Sequence, residues 1–311
     1  MRDALLRDLG DCYVEIITTI DVRVKNDALQ TNIHAGCRAV DLNDDVWQVW
    51  GSLIKQCDAV WAIAPETDGL LKKLAELTQK LGKVWLGCGL DAIEIFGDKR
   101  KTHTFLQQHK ASTPTFSWQA FLDYAAENPN KLFNPLLNNR YVAKPIFGAG
   151  CEDTFVFDSW QNLTEFMQQN RQNSHLIQLF LAGQPASFCA LFRNGKAWLL
   201  SVNSQQVIES NGKLSFNGVT VNGIANNRAI FARIASDLAS WQPSLNGIIG
   251  VDLMIADDSI SIIEVNPRLT TSYAGLAASI GHNPAQVLLD CWQNDHFELP
   301  MLTQKEVAIV I

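Results

Sequence analysis

The sequence predicts a mixed α/β and α+β protein, a small leading α/β unit followed by a larger unit with antiparallel strands. Residues 1–97 alternate short apolar strands with helices, the pattern of parallel strands joined by crossovers. Residues 184–224 read instead as antiparallel strands, with the tight-turn pair Asn194-Gly195 between two of them. Gly250-Val251-Asp252-Leu253-Met254 and Ile263-Glu264-Val265-Asn266-Pro267-Arg268 then flank Ala256-Asp257-Asp258-Ser259. Apolar runs around an Asp-Asp-Ser turn read as a β-hairpin.

Taken in order, residues 1–9 read as a helix, with Leu5, Leu6 and Leu9 at helical spacing. Residues 13–19, 59–64 and 83–87 read as strands; residues 45–56 and 69–81 read as helices with apolar residues at i, i+3/i+4. An α/β unit usually opens on a strand, so the reading leaves open that the chain starts one element late. Ile63-Ala64-Pro65-Glu66 ends a strand in a loop, where such sheets place ligand groups, although Glu66 is also read as a plain surface or helix N-terminal acid. A helix over 98–109 follows, then a loop-rich connector from Asn128-Pro129-Asn130 through Asn134-Pro135 to Asn138-Asn139. Strands are predicted over 141–145, 154–157 and 176–181, with a helix over 159–170. Strands over 186–193 and 197–206 precede an amphipathic helix over 226–241 that carries Ile230, Ile234 and Leu238. Beyond the hairpin come helices over 272–280 and 284–292. The apolar run Val307-Ala308-Ile309-Val310-Ile311 requires a sheet to capture it.

Composition narrows the function. The chain has 311 residues, 47% apolar and 18% charged, enough for two or three compact units. Its net charge of −7 argues against a broad nucleic-acid surface, so no nucleic-acid partner is expected. The seven cysteines form no Cys-x-x-Cys pair and their count is odd, which reads as reduced thiols in a cytoplasmic protein. No apolar run reaches the roughly 18–20 residues that span a bilayer, and no secretory signal pattern opens the chain, so no membrane partner is expected.

The hairpin carries the strongest chemical signal. If Asp258 centres an odd-length loop, Asp252 lies opposite Glu264, and Asn266, two residues on, shares the face of Glu264. Three converging hard oxygen ligands suit Mg²⁺, whose shell is commonly shared with phosphate; the plainer reading is a hairpin with a solvated face. Tyr141-Val142-Ala143-Lys144-Pro145 places a lysine inside an apolar strand, where a charged ligand supplies a reason for it. Phe147-Gly148-Ala149-Gly150-Cys151 follows at once, and its glycines let backbone N–H groups close on an anion. Lysine, glycine loop and carboxylate hairpin together supply two ways to neutralise a polyphosphate. Lys99 is a second lysine candidate, read alone as a surface lysine. Gln178-Leu179-Phe180-Leu181 reads either as a purine wall or as an ordinary buried strand. There is no Walker-type or protein-kinase signature.

These parts, in this order, resemble the ATP-grasp superfamily across nearly the whole chain. The resemblance implies a Rossmann-like pre-ATP-grasp domain over 1–97, its first strand not seen, a first ATP-grasp lobe over 98–182 and a second over 183–311. It implies that Lys99 and Lys144 contact nucleotide phosphates under a loop over 147–153 that includes Gly148 and Gly150. It also places adenine on Gln178, Leu179, Phe180 and Leu181, and the metal on Asp252, Glu264 and Asn266. Arg268 matches the arginine that steadies the transferred phosphate and the intermediate. The implied cofactors are ATP and Mg²⁺, with Mn²⁺ as a substitute ion. Asn266-Pro267-Arg268-Leu269-Thr270-Thr271-Ser272-Tyr273 and Gly183-Gln184-Pro185-Ala186-Ser187 resemble the tyramine–glutamate ligase branch, which acts in methanofuran assembly. On that footing Ser187, Thr270, Thr271 and Ser272 are substrate candidates, although capping the next helix is an equal reading of the last three. Where many members carry an acidic residue past the interlobe segment, this chain has Gln184, Pro185 and Ala186, so the ribose contacts stay open.

The expected activity is ATP-dependent ligation of a small amino-acid carboxylate to an amine through an acyl phosphate, with Arg268 and Lys144 as the catalytic residues. A homodimer is the expectation from relatives. Two rival readings remain, another ATP-grasp ligase with a different amino acid or peptide, and a nucleotide-binding protein without turnover.

Overall fold

The computed structural model describes residues 1–24, 35–111, 113–128, 140–256 and 259–311. The connector over 129–139 and the turn residues Asp257 and Asp258 lie outside the described residues. The chain opens with α1 (Arg2–Gly10), β1 (Ile16–Asp21), β2 (Ala35–Val40), α2 (Val46–Gln56), β3 (Ala59–Val60), α3 (Leu70–Lys80), β4 (Val84–Trp85) and α4 (Leu90–Phe96). The pairing is parallel as predicted, but the strands form two separate ladders, β1–β2 and β3–β4. The strand expected from residue 13 starts at Ile16, because Tyr13 is fully exposed with a left-handed φ of 56°. The strands expected over 59–64 and 83–87 shrink to two residues each. Trp61 leaves its ladder to pack edge-on against Tyr273, with ring centroids 6.1 Å apart, and the Trp85 indole donates to the Cys88 carbonyl.

The next segment contains α5 (Lys99–Gln108), β5 (Thr115–Phe116), α6 (Trp118–Glu127), β6 (Tyr141–Pro145), β7 (Phe155–Phe157), α7 (Trp160–Gln168) and β8 (His175–Leu179). Side chains fix the helix starts. Asp98 accepts from Arg100 N, Ser117 Oγ from Ala120 N and Ser159 Oγ from Asn162 N, each satisfying an otherwise unpaired first-turn donor. Helices α6 and α7 close a small core on this sheet segment, with Phe121, Tyr141, Leu163, Met167 and Ile177 fully buried.

The remainder is β9 (Gln184–Arg193), β10 (Lys196–Ser210), β11 (Lys213–Val221), α8 (Arg228–Trp241), β12 (Gly247–Ala256), β13 (Ser259–Asn266), α9 (Tyr273–Ile280), α10 (Pro284–Gln293) and β14 (Val307–Val310). Among the described residues these strands join the preceding ones in one sheet of order β13-β12-β9-β10-β11-β7-β6-β8-β5. Asn194 and Gly195, at φ 48° and 78°, make the predicted tight turn, and Asn211-Gly212 repeats it at 51° and 74°. β11 meets β7 through a single residue pair, Lys213 with Phe155, so the two halves of the sheet join at a narrow seam. The terminal apolar run is captured as β14, antiparallel to β11. Helix α8 is amphipathic, but Phe231, Ala235 and Leu238 form its buried line; Ile230, read as core, is 43% exposed. That line packs on one face of the sheet with Phe188, Phe192 and Val251. The other face carries Cys189, Leu191 and Ile248 under α9 and α10.

The hairpin places Asp252 opposite Glu264, as expected, but for a different reason. Ala256 pairs with Ser259 and Leu253 with Ile262, so the turn itself sets an even register. One extra residue, Ile263, then bulges from β13 and brings Glu264, rather than Ile263, opposite Asp252. Gly250, opposite Asn266, is a close-packing requirement, because a Cβ there would lie 2.4 Å from Thr270 Cγ2 and 2.5 Å from its Oγ1. Gly250→Ala is expected to destabilise the protein by about 1–3 kcal/mol through overpacking. Gly51→Ala, mid-helix in α2 with open space around it, is expected to be neutral or to stabilise by up to about 1 kcal/mol. Urea unfolding of the two variants beside the parent checks both.

Candidate functional site

The site grows from the face of the hairpin that carries Asp252. Directly paired residues on neighbouring strands share a face, so Glu264, Asp252, Ser187 and Asn203 form one row across β13, β12, β9 and β10. Asn266 donates its amide to Asp252 Oδ2 at 3.0 Å, and Gln205 donates to Asp252 Oδ1 at 2.7 Å. Burial, and then the facing Glu264, push the Asp252 carboxyl up to about 6, against the pull of the two amides and Arg268. Gln205 is absent from the sequence reading. The available signal was the polar alternation Ser201, Asn203, Gln205 inside an apolar strand.

Both predicted lysines reach this face. Lys99, opening α5, lies 3.0 Å from Glu264 Oε1 and donates to the Gly148 carbonyl at 2.7 Å. It therefore links the carboxylate pair to the glycine loop instead of standing at the surface. Lys144, in β6, is 7% exposed. Burial pushes its ammonium down to about 8; Glu264 opposes the shift and Lys99 adds to it. Two cations and two carboxylates thus converge from β6, α5, β12 and β13.

The loop over 147–153 is built on backbone that favours glycine. Gly148 has φ 132° and Gly150 φ 65°, and Cys151 and Asp153 continue in the left-handed region at 63° and 51°. Its far end is anchored, since Asp153 Oδ2 accepts from Arg171 Nη1 at 2.6 Å and lies 3.1 Å from His175 Nε2. Burial, with Asp252 and Glu264 next, pushes the Cys151 thiol up to about 11, so no thiolate is available there.

The remaining candidates divide. Gln178 is buried and donates to Thr115 Oγ1 at 2.9 Å, which leaves its carbonyl oxygen for another donor. Leu179, which ends β8, and Phe180 and Leu181 just past it are half-buried, and the Arg140 guanidinium stacks 4.3 Å from the Phe180 ring centroid. Ser187 accepts from Asn203 Nδ2 at 3.2 Å. Thr270 Oγ1 and Ser272 Oγ lie 3.0 Å apart beside Gly250; Ser272 precedes α9 without capping it, and Thr271 is half-buried nearby. Arg268 is held by Glu66, with Nε 2.9 Å from Oε2.

Among the described residues no group of three His, Cys, Asp or Glu side chains could hold a metal ion. The donor set here is two carboxylates and a carboxamide, all oxygen, which fits a hard divalent cation. Asp252 is raised by burial and then by the facing Glu264, a buried negative charge that such a cation would relieve.

Comparison with known proteins bears on the family and the fold. Residues 96–272 match the ATP-grasp domain family, and residues 14–93 match the pre ATP-grasp 3 domain. Over 222 residues the chain is 30% identical to tyramine–L-glutamate ligase of Methanocaldococcus fervens, covering 71% of this chain and 62% of that enzyme. It is 28% identical over 258 residues to the Methanocaldococcus jannaschii enzyme of the same name, covering 82% and 70%. In fold it resembles N5-carboxyaminoimidazole synthetase from Staphylococcus aureus, solved with ADP, at TM-score 0.73 and 12% identity over 98% of this chain and 78% of that one. The match spans less than two thirds of the M. fervens enzyme.

The buried lysine gives a pH-dependent prediction. A folded pKa of about 8 against 10.5 disfavours the protonated form in the folded state. The cost is complete below pH 8, declines as pH rises and vanishes above 10.5; at one pKa unit per ~1.4 kcal/mol it is on the order of 3 kcal/mol. Lys144→Met is therefore expected to stabilise the ligand-free protein at pH 7 by about 2–3 kcal/mol, with less than half of that gain left at pH 9.5. Urea unfolding at the two pH values checks it.

Proposed function

The chain belongs to the ATP-grasp family, and from that premise we propose that it is an ATP-dependent carboxylate–amine ligase joining L-glutamate to tyramine. The observation that carries the reading is the convergence of Lys99 and Lys144 on the Asp252–Glu264 pair beside the glycine loop. The named relatives support the substrate pair and with it a place in methanofuran assembly.

A carboxylate is a poor electrophile because oxide is a poor leaving group. In the proposed reaction a carboxylate oxygen attacks the γ-phosphorus of ATP and ADP departs, leaving an acyl phosphate. The amine nitrogen then attacks the acyl carbon, phosphate leaves with the C–O bonding pair, and the nitrogen loses its proton to form the amide. Asp252, Glu264 and Asn266 would hold Mg²⁺, which when bound offsets phosphate charge. Lys99 and Lys144 neutralise the remaining phosphate oxygens, and an anion there offsets the cost that burial places on the Lys144 ammonium. Arg268 faces the developing charge on the transferred group. Ser187, Thr270, Thr271 and Ser272 offer hydroxyls near the row for the substrate, and Gln178, Leu179, Phe180 and Leu181 a wall for the base. Closure of the loop over 147–153 keeps water from the acyl phosphate.

The test is ADP release with Mg²⁺-ATP and glutamate, with and without tyramine, and mass detection of the product. Tyramine-dependent release with a glutamyl amide is the expected result. Release with another acid or amine would move the reading elsewhere in the family, and no release with any pair would sink the ligase assignment. Asp252→Asn and Glu264→Gln are each expected to lower turnover by about a hundredfold or more with the fold intact by circular dichroism. Parent-like turnover and metal dependence in either variant would overturn the metal assignment.

A further inference from the structure

We propose that Glu66, from the leading α/β unit, is a positioning residue that fixes Arg268 for the γ-phosphate. The inference rests on the role given to Arg268 above and adds a residue from outside the grasp domain. The two residues are 202 positions apart, yet Arg268 Nε donates to Glu66 Oε2 at 2.9 Å, and their side chains are only 14% and 13% exposed. Pairs so shielded are little screened by solvent and tolerate loss of one partner poorly.

The guanidinium is held at two of its three nitrogens. Nε is on Glu66 and Nη1 is on the Leu269 carbonyl at 3.1 Å. Among the described residues Nη2 has no protein partner, so one edge of a planar, oriented cation stays open.

Glu66 is itself immobilised. Its backbone carbonyl accepts from Gly69 N at 3.1 Å, and the Pro65 carbonyl accepts from Leu71 N at 3.2 Å. Asp68 and Gly69, at φ 56° and 67°, turn the chain sharply into α3. Gly97, just before Asp98 and Lys99, leaves room for the Glu66 side chain, because a Cβ there would lie 3.3 Å from Glu66 Cβ and 2.7 Å from the Ile93 carbonyl. The same short segment that launches Lys99 therefore backs the carboxylate that aims Arg268.

The test is a double-mutant cycle on nucleotide affinity, with Glu66→Ala, Arg268→Ala and the double variant titrated with Mg²⁺-ATP and Mg²⁺-ADP by calorimetry. A residue that merely stabilises the fold would weaken both nucleotides alike, whereas aiming a cation at the γ-phosphate affects ATP alone. Arg268→Ala is expected to lower the ATP-over-ADP preference about tenfold and Glu66→Ala at least about fivefold, and the double variant should do no worse than Arg268→Ala. ADP affinity should stay within about twofold throughout. Glu66→Gln, which keeps an acceptor but not the charge, should fall between parent and Glu66→Ala, and it serves if the alanine variant fails to fold. A parent-like ATP-over-ADP ratio in Glu66→Ala, effects that multiply in the double variant, or a parent protein with no preference for ATP would each overturn the proposal. Because this readout needs no acid or amine, an absence of ligation in the preceding assay counts against the substrates and not against Glu66. A parent that binds neither nucleotide sinks both.

Discussion

The site depends on one extra residue in one strand. With the register set at the turn, Asp252 would face Ile263, Glu264 would point with Ile262 into the core under α8, and Val265 would be turned out of it. The Ile263 bulge reverses the facing of the rest of β13, so that Glu264 and Asn266 stand with Asp252 while Ile262 and Val265 both stay in the core. An uncompensated carboxylate in that core would be among the costliest defects a fold can carry. The bulge therefore keeps the apolar pattern of the strand intact while turning its two polar groups toward the chemistry.

The consequence of that placement is electrostatic. Burial first, and then repulsion from the facing Glu264, raise the Asp252 carboxyl to about 6, so the ligand-free site tolerates its charge poorly. Lys99 relieves Glu264 directly, while Lys144 is buried too deeply to keep its proton easily. Each group is held in a state that a metal–polyphosphate ligand would improve, since the metal relieves the carboxylates and the phosphates relieve the lysines. Such preorganisation lowers stability in the empty protein and recovers it on binding.

What could be read from the sequence follows the range of the interactions. Local chemistry was legible in the Asn194-Gly195 turn, the glycine loop with its left-handed Gly150, and the lysine in an apolar strand. The pairing of Asp252 with Glu264 was also reached, although the assumed odd loop was the wrong cause, because a bulge leaves no compositional mark. The short helix α4 escaped, and the strands expected over 59–64 and 83–87 were read too long, since segments so brief have too few positions for a period to emerge. In α8 the choice of Ile230 over Phe231 was a phase error of one residue, which periodicity alone does not settle. Gln205, the Asp153–Arg171–His175 anchor and the Glu66–Arg268 pair are contacts between distant segments, and a single sequence contains no direct record of them.

The same distant contacts explain why the leading unit is integrated with the grasp domain and not merely attached to it. Leu71, Ala75, Ala92, Ile93 and Phe96, from α3 and α4, belong to the core cluster that contains Phe188, Phe192, Phe231 and Val265. Ala4 and Leu5 of α1 join the opposite cluster with Tyr273 and Leu276. Two short parallel ladders could not supply a hydrophobic core of their own. Their helices instead complete the core behind the hairpin, which holds β3 and the Glu66 loop against Arg268. Shared burial thus does more than stabilise the fold, because it fixes the distance between a loop in the first unit and a cation in the second.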